Sequence, residues 1–363
     1  MYKQEKTLGI IAFCRGAHFL EKTYYQKLTI IGRKMGIRVF VFSPRRVDFR
    51  HRQVTGYEFI QGMWKAVTLP LPSFIYDRCF IGPTYRHYKP FIEQLQNDPA
   101  ITFLGRGLSG KWQVHQILSK SPELRKWLPD TQWLNMSNLF TQLEQNGAII
   151  IKPVAGTHGI GVVRISQNDG FYVATGRAQE NRPFQRRFRS RKELQNFVTY
   201  FTKDSKFLVQ PYLKLCTPEQ TPYDIRVLVQ KNGHGQWETT GKAVRIGDKK
   251  NITSNLHGGG KAVPLSTFLA GIFPQEKKNQ IEEEIDSVIR LLPAFLEEYH
   301  GRLVELGIDI GVDTDGHVWI IEVNSKPGRT VFRLIADRVA RNRSVTQPVR
   351  YAHYLMKERV GGY

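Results

Sequence analysis

The pattern of apolar and polar positions predicts an α/β domain at the start of the chain. Residues 8–13 and 37–42 are short apolar runs, and residues 19–35 between them carry apolar side chains at helical spacing. A buried strand, an amphipathic helix and a second buried strand are typical of a β-α-β unit with a parallel sheet. Short alternating segments over residues 56–71 then predict a hairpin.

A polar cluster ends the next predicted strand, which begins at Phe74. Its residues are Tyr76, Asp77 and Arg78. Open α/β sheets bind ligands beyond the carboxyl ends of their strands, so these three side chains are candidates for substrate binding. The alternative is an ion pair within the domain, and the sequence leaves both interpretations open.

A second hairpin is predicted over residues 305–328, and its polar face carries metal-ligand chemistry. Asp315-Gly316 favours a two-residue type I′ turn, in which both central residues need positive φ. With that turn, Asp309 on the first strand lies opposite Glu322 on the second, with Cβ atoms about 5 Å apart.

Asn324 shares this face because side chains alternate along a strand. Two carboxylates and an amide oxygen, from Asp309, Glu322 and Asn324, are hard ligands that suit Mg²⁺, which takes the rest of its shell from water and nucleotide phosphates. Gly307 and Gly311 flank Asp309 and are expected to leave room above the sheet. The alternative is a solvated hairpin whose polar face meets water.

Residues 105–111 match the first seven positions of a Walker A loop. Trp112 then occupies the position where that loop needs Ser or Thr to hold Mg²⁺, so we interpret the match as accidental. Lys111 begins a helical stretch over residues 111–118, which could equally be an ordinary surface helix.

An apolar strand over residues 148–153 carries a single lysine, and a glycine-rich loop follows it. A lysine in so apolar a strand indicates a nearby anion, and glycines let backbone N–H groups approach phosphate oxygens. The alternative is a glycine-rich hairpin whose lysine reaches solvent. The strand-loop-strand context favours a nucleotide site. Its predicted residues are Lys152, Gly156, Thr157, His158, Gly159 and Gly161.

Two further strands carry candidates for binding a reacting phosphoryl group. Arg226 shares a strand face with Asp224, and its planar guanidinium can bind phosphate oxygens in a bidentate manner; the alternative is a salt bridge between the two. Lys242 and Arg245 lie on the next strand and are predicted to act with it. A second glycine-rich loop then predicts close approach to the substrate or phosphoryl group, with a tight turn as the alternative. Its candidates are Asn255, Gly258, Gly259 and Gly260.

Composition indicates a folded protein of two or three lobes, since 363 residues with 41% hydrophobic side chains can bury a sizeable core. The net charge of +21 suggests an anionic partner or a charged environment. Basic residues concentrate in residues 33–52, 177–192 and 329–359. No RNA-recognition, zinc-finger or helix-turn-helix pattern accompanies them, so nucleic-acid binding rests on charge alone.

Residues 177–192 are interpreted as a solvated helix or loop face, with a docking strip for an acidic peptide, polyanion or surface as the alternative.

The cysteines number three and have no ligand-like spacing, which argues against a disulfide framework and fits a reducing interior. The apolar run at residues 8–14 is too short for a signal core, and no segment is long enough to span a membrane.

Taken in order, these parts resemble the ATP-grasp superfamily from about residue 106 to 340. The parts are the Lys111-led helix, the Lys152 strand with its glycine loop, a strand at residues 207–213, the DIRV strand, the Asn255/GGG loop, and Asp309…Glu322-x-Asn324-x-x-Pro-Gly. Within the superfamily, IKPVAGTHGIGV, YDIRVLVQ and GIDIGVD…WIIEVNSKPG, with the upstream IYDR, are similar to the YheC/YheD family of endospore coat-associated proteins.

The resemblance implies an α/β protein with an ATP-grasp fold of α+β lobes behind an N-terminal α/β pre-ATP-grasp domain. The implied division is 1–105 for that domain, 106–209 for the small lobe, 210–345 for the large lobe and 346–363 for a basic tail. It also implies that Lys111 supports the nucleotide phosphates and that a hinge binds the adenine edge. The hinge residues are Gln210, Pro211, Tyr212 and Leu213.

The activity that the resemblance implies is ATP-dependent joining of a carboxylate to an amine through an acyl-phosphate, with one or two Mg²⁺ ions. The family tie implies a cytoplasmic, mother-cell location with a link to the spore coat. The substrates would be a small-molecule, peptide or protein carboxylate and an amine, and acidic ones would suit the positive charge. The alternatives are a non-catalytic ATP-binding coat protein and a basic nucleic-acid-binding protein.

Overall fold

The computed structural model describes residues 6–80, 82–156, 160–178, 182–203, 205–247 and 261–361. Three main sheets organise these residues, two of six strands and one of five. The first belongs to the N-terminal domain. The other two approach each other where Lys111 contacts both Gly156, which follows a strand of one sheet, and Glu322 on the other sheet, and we call this region the cleft. The fold class is α/β, as predicted from the sequence.

The N-terminal domain confirms the predicted β-α-β unit. Its elements are β1 (Thr7–Ile11), β2 (Cys14–Arg15), β3 (His18–Phe19), α1 (Lys22–Lys34), β4 (Arg38–Asp48), β5 (Gln53–Ile60), β6 (Met63–Pro70), β7 (Phe74–Asp77), a 3₁₀ turn (Pro83–His87), α2 (Lys89–Asn97) and β8 (Thr102–Phe103). The sheet order is β6-β5-β4-β1-β7-β8, with β1 parallel to β4 and β7. Strands β5 and β6 form the predicted hairpin.

The middle of the chain builds a six-stranded antiparallel sheet in the order β13-β12-β11-β10-β14-β9. The elements are α3 (Lys111–Leu118), α4 (Pro122–Arg125), β9 (Gln132–Trp133), α5 (Met136–Asn146), β10 (Ala148–Pro153), β11 (Val163–Asn168), β12 (Phe171–Arg177), β13 (Pro183–Phe188), α6 (Arg191–Thr202) and β14 (Phe207–Pro211). One face of this sheet packs on α5 and α6 through side chains such as Ile149, Ile151, Val163 and Val209.

The segment 177–192 differs from its predicted form. Its described residues lie at the end of β12, in the edge strand β13 and at the start of α6, so much of the described part is strand rather than the predicted helix or loop face. Phe184 and Phe188 pack toward Phe197, and Arg186, on the same strand face, lies over the Phe197 ring, while both Arg186 and Arg187 are exposed. Charged side chains on an edge strand discourage pairing with other chains.

The third sheet has the order β17-β16-β15-β18-β19. Its strands and the helices around it are β15 (Tyr223–Lys231), β16 (Trp237–Ile246), β17 (Lys261–Pro264), α7 (Leu265–Ala270), α8 (Gln275–His300), β18 (Glu305–Val312), β19 (Val318–Asn324), α9 (Thr330–Leu334) and α10 (Arg338–Gly361). The face that carries Ile225, Val227 and Ile308 packs on α8. Within the described ranges, no helix combines the length and apolar character needed to cross a membrane.

The predicted domain boundaries stay a prediction, and two segments beside them pack as follows. Helices α3 and α4 bury Val114, Leu118 and Leu124 in the core of the third sheet. Helix α10 runs without interruption across the predicted boundary at residue 346. Its residues Tyr351 and Met356 complete the core of the N-terminal domain, so the basic tail is part of a packed helix.

Candidate active site

The hairpin β18–β19 pairs Asp309 with Glu322, as predicted from the sequence. The turn itself differs from the prediction. The Asp313 N–H donates to the carbonyl of His317 at 3.0 Å, and in this loop only Gly316 has a positive φ, so the turn is longer than a type I′ turn. A register shift after Asp309 compensates for the longer turn and restores the predicted pairing.

The face around Asp309 is more closely covered than the sequence suggested. A Cβ on Gly307 would lie 2.7 Å from the Cβ of Pro327, and one on Gly311 would lie 2.7 Å from Leu215 side-chain atoms. The expectation that both glycines leave open room was therefore wrong. Glycine is needed at both positions because neighbouring side chains pack directly onto the strand. The accessible part of the candidate site is therefore limited to Asp309 and the adjoining strand β19.

Two arginines hold the carboxylate of Asp309. Arg226 Nε lies 2.5 Å from Oδ1, and Arg245 Nη2 lies 3.1 Å from Oδ2. Arg245 also donates from Nε to Asp224 at 2.6 Å, so Asp224 pairs with Arg245 rather than with Arg226. Burial alone would raise the pKa of Asp309, but the two arginines outweigh it and lower that pKa. Burial prevails at Asp224 and raises its pKa.

Glu322 faces the two lysines that the sequence assigned to the nucleotide. Lys111 Nζ lies 3.3 Å from Glu322 Oε1 and donates to the Gly156 carbonyl at 2.9 Å, which connects the β18–β19 hairpin to the glycine loop. Burial, and secondarily the charge of Lys111, lower the pKa of Lys152 to about 8, while Glu322 opposes the shift. The site therefore concentrates positive charge beside one carboxylate.

The predicted hinge lies at the end of β14, beside the start of β10, whereas the glycine loop follows the other end of β10. Gln210 and Pro211 pair with Ile150 and Ile149, and the Tyr212 N–H donates to the Ala148 carbonyl at 3.0 Å. Leu213 follows, and its carbonyl accepts from the Leu215 N–H at 2.9 Å.

The glycine loops are described only in part. Gly161 has a φ of +77°, a conformation that favours glycine, and it packs on Pro153. The remaining predicted loop residues lie outside the described residues; they are Thr157, His158, Gly159, Asn255, Gly258, Gly259 and Gly260.

The role predicted for Lys242 needs correction. Arg245 and Ala243 share the face of β16 that carries the Asp309 cluster, and Lys242 lies on the other face, where its ammonium group pairs with Asp286 of α8. Side chains three positions apart in a regular strand cannot share a face. Arg226 and Arg245 therefore remain the candidates for the phosphoryl group.

The Tyr76–Arg78 cluster forms a buried ion pair between domains. Arg78 donates to Glu21 at 2.6 and 2.9 Å and to Glu305 at 2.9 Å, and Tyr76 donates to Glu305 at 2.5 Å. The ion-pair alternative therefore describes this cluster, although it extends beyond one domain. A substrate role for these side chains would require the pair to open.

Three residues of this junction were missed from the sequence. Glu305 accepts from Arg329 at 2.5 Å, and Lys326 pairs with Asp77 at 2.8 Å. All three lie in or just after the hairpin, but each also contacts the Tyr76–Arg78 cluster, which is more than 200 residues away in the sequence. A single sequence does not reveal which distant charged residues pair with each other. It showed only that charged residues stand in and after the hairpin.

The donor set fits a hard divalent cation. The described residues contain no group of three His, Cys, Asp or Glu side chains placed to hold a metal ion, so a cation here would depend on two carboxylates and the amide of Asn324. Glu322 is 30% exposed and its partner is the flexible Lys111, while Asn324 makes no side-chain hydrogen bond within the described parts of the chain. Asp309 would have to exchange an arginine for the cation.

Solved structures with the same arrangement define the class as an ATP-grasp fold. D-cycloserine synthetase DcsG superposes with a TM-score of 0.55 at 11% identity, covering 97% of this chain and 99% of its own. The ATP-grasp ligase PsnB, solved with its minimal precursor, Mg and ADP, superposes with a TM-score of 0.51 at 12% identity, covering 95% and 98%. At such identities these likenesses show the fold alone.

The chain belongs to the YheC/D-like ATP-grasp family, whose model matches residues 100–355. The endospore coat-associated protein YheC of Bacillus subtilis (strain 168) is 31% identical over 363 residues, covering 97% of this chain and 96% of YheC. The family predicted from the sequence motifs is thereby confirmed.

Proposed function

We propose that this protein is an ATP-dependent carboxylate–amine ligase that works through an acyl-phosphate and releases ADP and phosphate. The observation that carries the proposal is the meeting of Lys111 and Glu322 at 3.3 Å, with Lys152 close enough for both charges to shift its pKa. Phosphoryl transfer needs positioning and neutralisation of charge, and this cleft supplies cations beside hard oxygen donors.

One or two Mg²⁺ ions would be held by Asp309, Glu322 and Asn324. When bound, they would neutralise phosphate charge during the transfer. Lys111 and Lys152 would bind the phosphates of ATP. The hinge from Gln210 to Leu213 would bind the adenine, and the glycine loop from Gly156 to Gly161 would cover the nucleotide.

The chemistry requires no covalent intermediate on a side chain. A substrate carboxylate oxygen attacks the γ-phosphorus, the bond to the β-phosphate oxygen breaks, and ADP leaves. The amine nitrogen then attacks the acyl carbon, phosphate leaves, and the nitrogen loses a proton. Arg226 and Arg245 lie where they could turn from Asp309 toward the anionic oxygens of the acyl-phosphate, since guanidinium groups bind such oxygens through paired hydrogen bonds.

The proposed location rests on the family relationship, and the proposed substrate class rests on the net charge. YheC is named as endospore coat-associated, which supports a role in coat formation, on the mother-cell side. The net charge of +21 favours an acidic substrate such as a peptide or protein carboxylate.

The test is incubation with Mg²⁺-ATP and pools of amino acids and acidic peptides, followed by measurement of ADP, AMP and new masses. ADP together with an amide product supports the ligase, whereas AMP release contradicts the acyl-phosphate route. Tight ATP binding without turnover in any pool would favour a non-catalytic ATP-binding protein, and a steep salt dependence of binding to generic DNA would favour the nucleic-acid alternative.

A further inference from the structure

A row of three side chains crosses the cleft face of the small-lobe sheet. Ile150 on β10 pairs with Arg164 on one side and with Gln210 on the other. Their strand neighbours Ile149 and Val209 point into the core on the opposite face. Arg164, Ile150 and Gln210 therefore lie on the same face as Lys152, which is two residues beyond Ile150.

Both polar ends of this row carry a buried atom without a partner. Arg164 Nε and Gln210 Oε1 are shielded from solvent and have no hydrogen bond among the described residues, and Gln210 is only 6% exposed. Native proteins rarely leave such atoms unpaired, because their lost hydration is not replaced. One is a donor and the other an acceptor, and they stand on either side of an apolar isoleucine.

Tyr212 holds Arg164 in place. The Arg164 guanidinium lies 4.1 Å from the centre of the Tyr212 ring, within the range of a cation–π contact. Tyr212 is itself fixed by the hydrogen bond from its N–H to the Ala148 carbonyl, at 3.0 Å. Because Arg164 and Tyr212 lie on either side of β10, their contact restrains the guanidinium on the sheet face that carries Ile150.

We propose that Arg164 is a further residue that binds the nucleobase, and that Tyr212 is its positioning residue. The inference rests on the proposed nucleotide function. The Arg164 Nε–H donates to a ring nitrogen of adenine, the ring lies over Ile150, and Gln210 Oε1 accepts from the exocyclic amino group.

The row suits a base better than a phosphate. A phosphate oxygen would face the unpaired acceptor of Gln210, with which it cannot form a hydrogen bond. An adenine ring over Ile150 instead buries apolar surface and gives a hydrogen-bond partner to both Arg164 Nε and Gln210 Oε1. Lys152, further along β10, is left for the phosphates.

The test compares calorimetric affinities for Mg²⁺-ATP and for Mg²⁺-tripolyphosphate, which lacks ribose and base. Arg164→Met should weaken ATP binding by about tenfold, as expected for loss of one hydrogen bond from a charged group, and should leave tripolyphosphate within about twofold. Tyr212→Leu removes the ring that holds the guanidinium and should show the same selective loss as Arg164→Met. Arg187→Met, at an exposed arginine on the same sheet, is the matched control and should change neither affinity.

The outcomes separate this inference from the proposed function. A wild type that binds neither ligand contradicts the proposed function itself. A wild type that binds ATP while Arg164→Met binds it equally well overturns the inference alone, as does an equal loss of ATP and tripolyphosphate, which would make Arg164 a phosphate ligand. If Arg164→Met does not fold, Arg164→Lys keeps the charge without Nε and must show the same selective loss.

Discussion

Arg78 and Glu305 form an ion pair at 2.9 Å in which neither side chain has any exposed surface. Arg78 follows strand β7 of the N-terminal sheet, which lies between β1 and the edge strand β8, and Glu305 begins β18, four residues before Asp309. Glu305 also accepts from Arg329, just beyond the end of β19. One carboxylate therefore ties the N-terminal domain to both sides of the candidate metal hairpin.

Removing Arg78 should destabilise the whole chain. Arg78→Met removes one of the positive charges that offset the buried negative charge of Glu305. Breaking a buried pair in this way costs about 3–5 kcal/mol in free energy of unfolding, which urea denaturation measures. Lys89→Met, in the exposed pair with Glu93, is the control and should cost less than about 1 kcal/mol. Equal effects of the two changes would show that the buried pair does not contribute as described.

The two carboxylates of the hairpin should respond differently to neutralisation. Asp309→Asn removes the charge that compensates Arg226 and Arg245, and should lower the free energy of unfolding by about 3 kcal/mol. Glu322→Gln releases a partly exposed lysine and should cost less than about 1 kcal/mol. Both should abolish turnover. Matching losses of stability, measured by denaturant titration, would contradict the assignment of the arginines to Asp309.

Strand β16 offers a matched test of which face is functional. Arg245→Met should lower the rate of ADP formation about hundredfold, as expected when a donor to a transition state is lost. Lys242→Met, on the face that packs against α8, should change that rate by less than about twofold. Steady-state kinetics with the substrate pool that supports turnover measure both. A larger effect at Lys242 would restore its predicted catalytic role.

Nucleotide affinity should fall as the pH rises above about 8. The pKa of Lys152 is lowered to about 8 in the free protein, and bound phosphates favour its charged form and raise that pKa. Binding therefore takes up a proton above pH 8, and the affinity should fall by up to about tenfold per pH unit until the pKa of the complex is reached. Calorimetry in buffers of different ionisation enthalpy measures the proton uptake. Lys152→Met should show neither effect; the same pH profile in that variant would assign the titration elsewhere.

The stability of the free protein should change in the opposite direction. The pKa of Lys152 is below its ordinary value of 10.5, so the unfolded chain binds more protons between pH 8 and 10.5. The cost of the charged, buried lysine is present below pH 8 and is relieved as the pH rises through that window. Wild type should therefore gain stability relative to Lys152→Met between pH 8 and 10.5, and a constant difference would contradict burial as the cause of the shift.

The sequence predicted the local elements well because they depend on local periodicity. Helix α3 has the bounds predicted for it, and Asp309 pairs with Glu322 because the bulge in β19 offsets the longer turn. The prediction that Lys242 acts with Arg245 was wrong because side chains alternate along a strand, which places Arg245, three residues later, on the other face.

Other features depend on contacts between distant parts of the chain. Pro327 and Leu215 fill the space above Gly307 and Gly311, and nothing in the local pattern indicates which side chain arrives there. The pair between Arg78 and Glu305 joins residues 227 positions apart, beyond any periodicity. Arg164 appeared as an ordinary polar position in a strand, and only its unpaired Nε distinguishes it.

The most direct test of the central claim is calorimetric titration with the non-hydrolysable analogue AMP-PNP, with Mg²⁺ and with EDTA, for wild type and Glu322→Gln. If Glu322 holds a cation between the hairpin and the phosphates, Mg²⁺ should tighten binding to the wild type by at least about tenfold and should have little effect on the variant. A wild type with the same affinity in Mg²⁺ and in EDTA, or a variant that keeps the full Mg²⁺ effect, would contradict the proposed site.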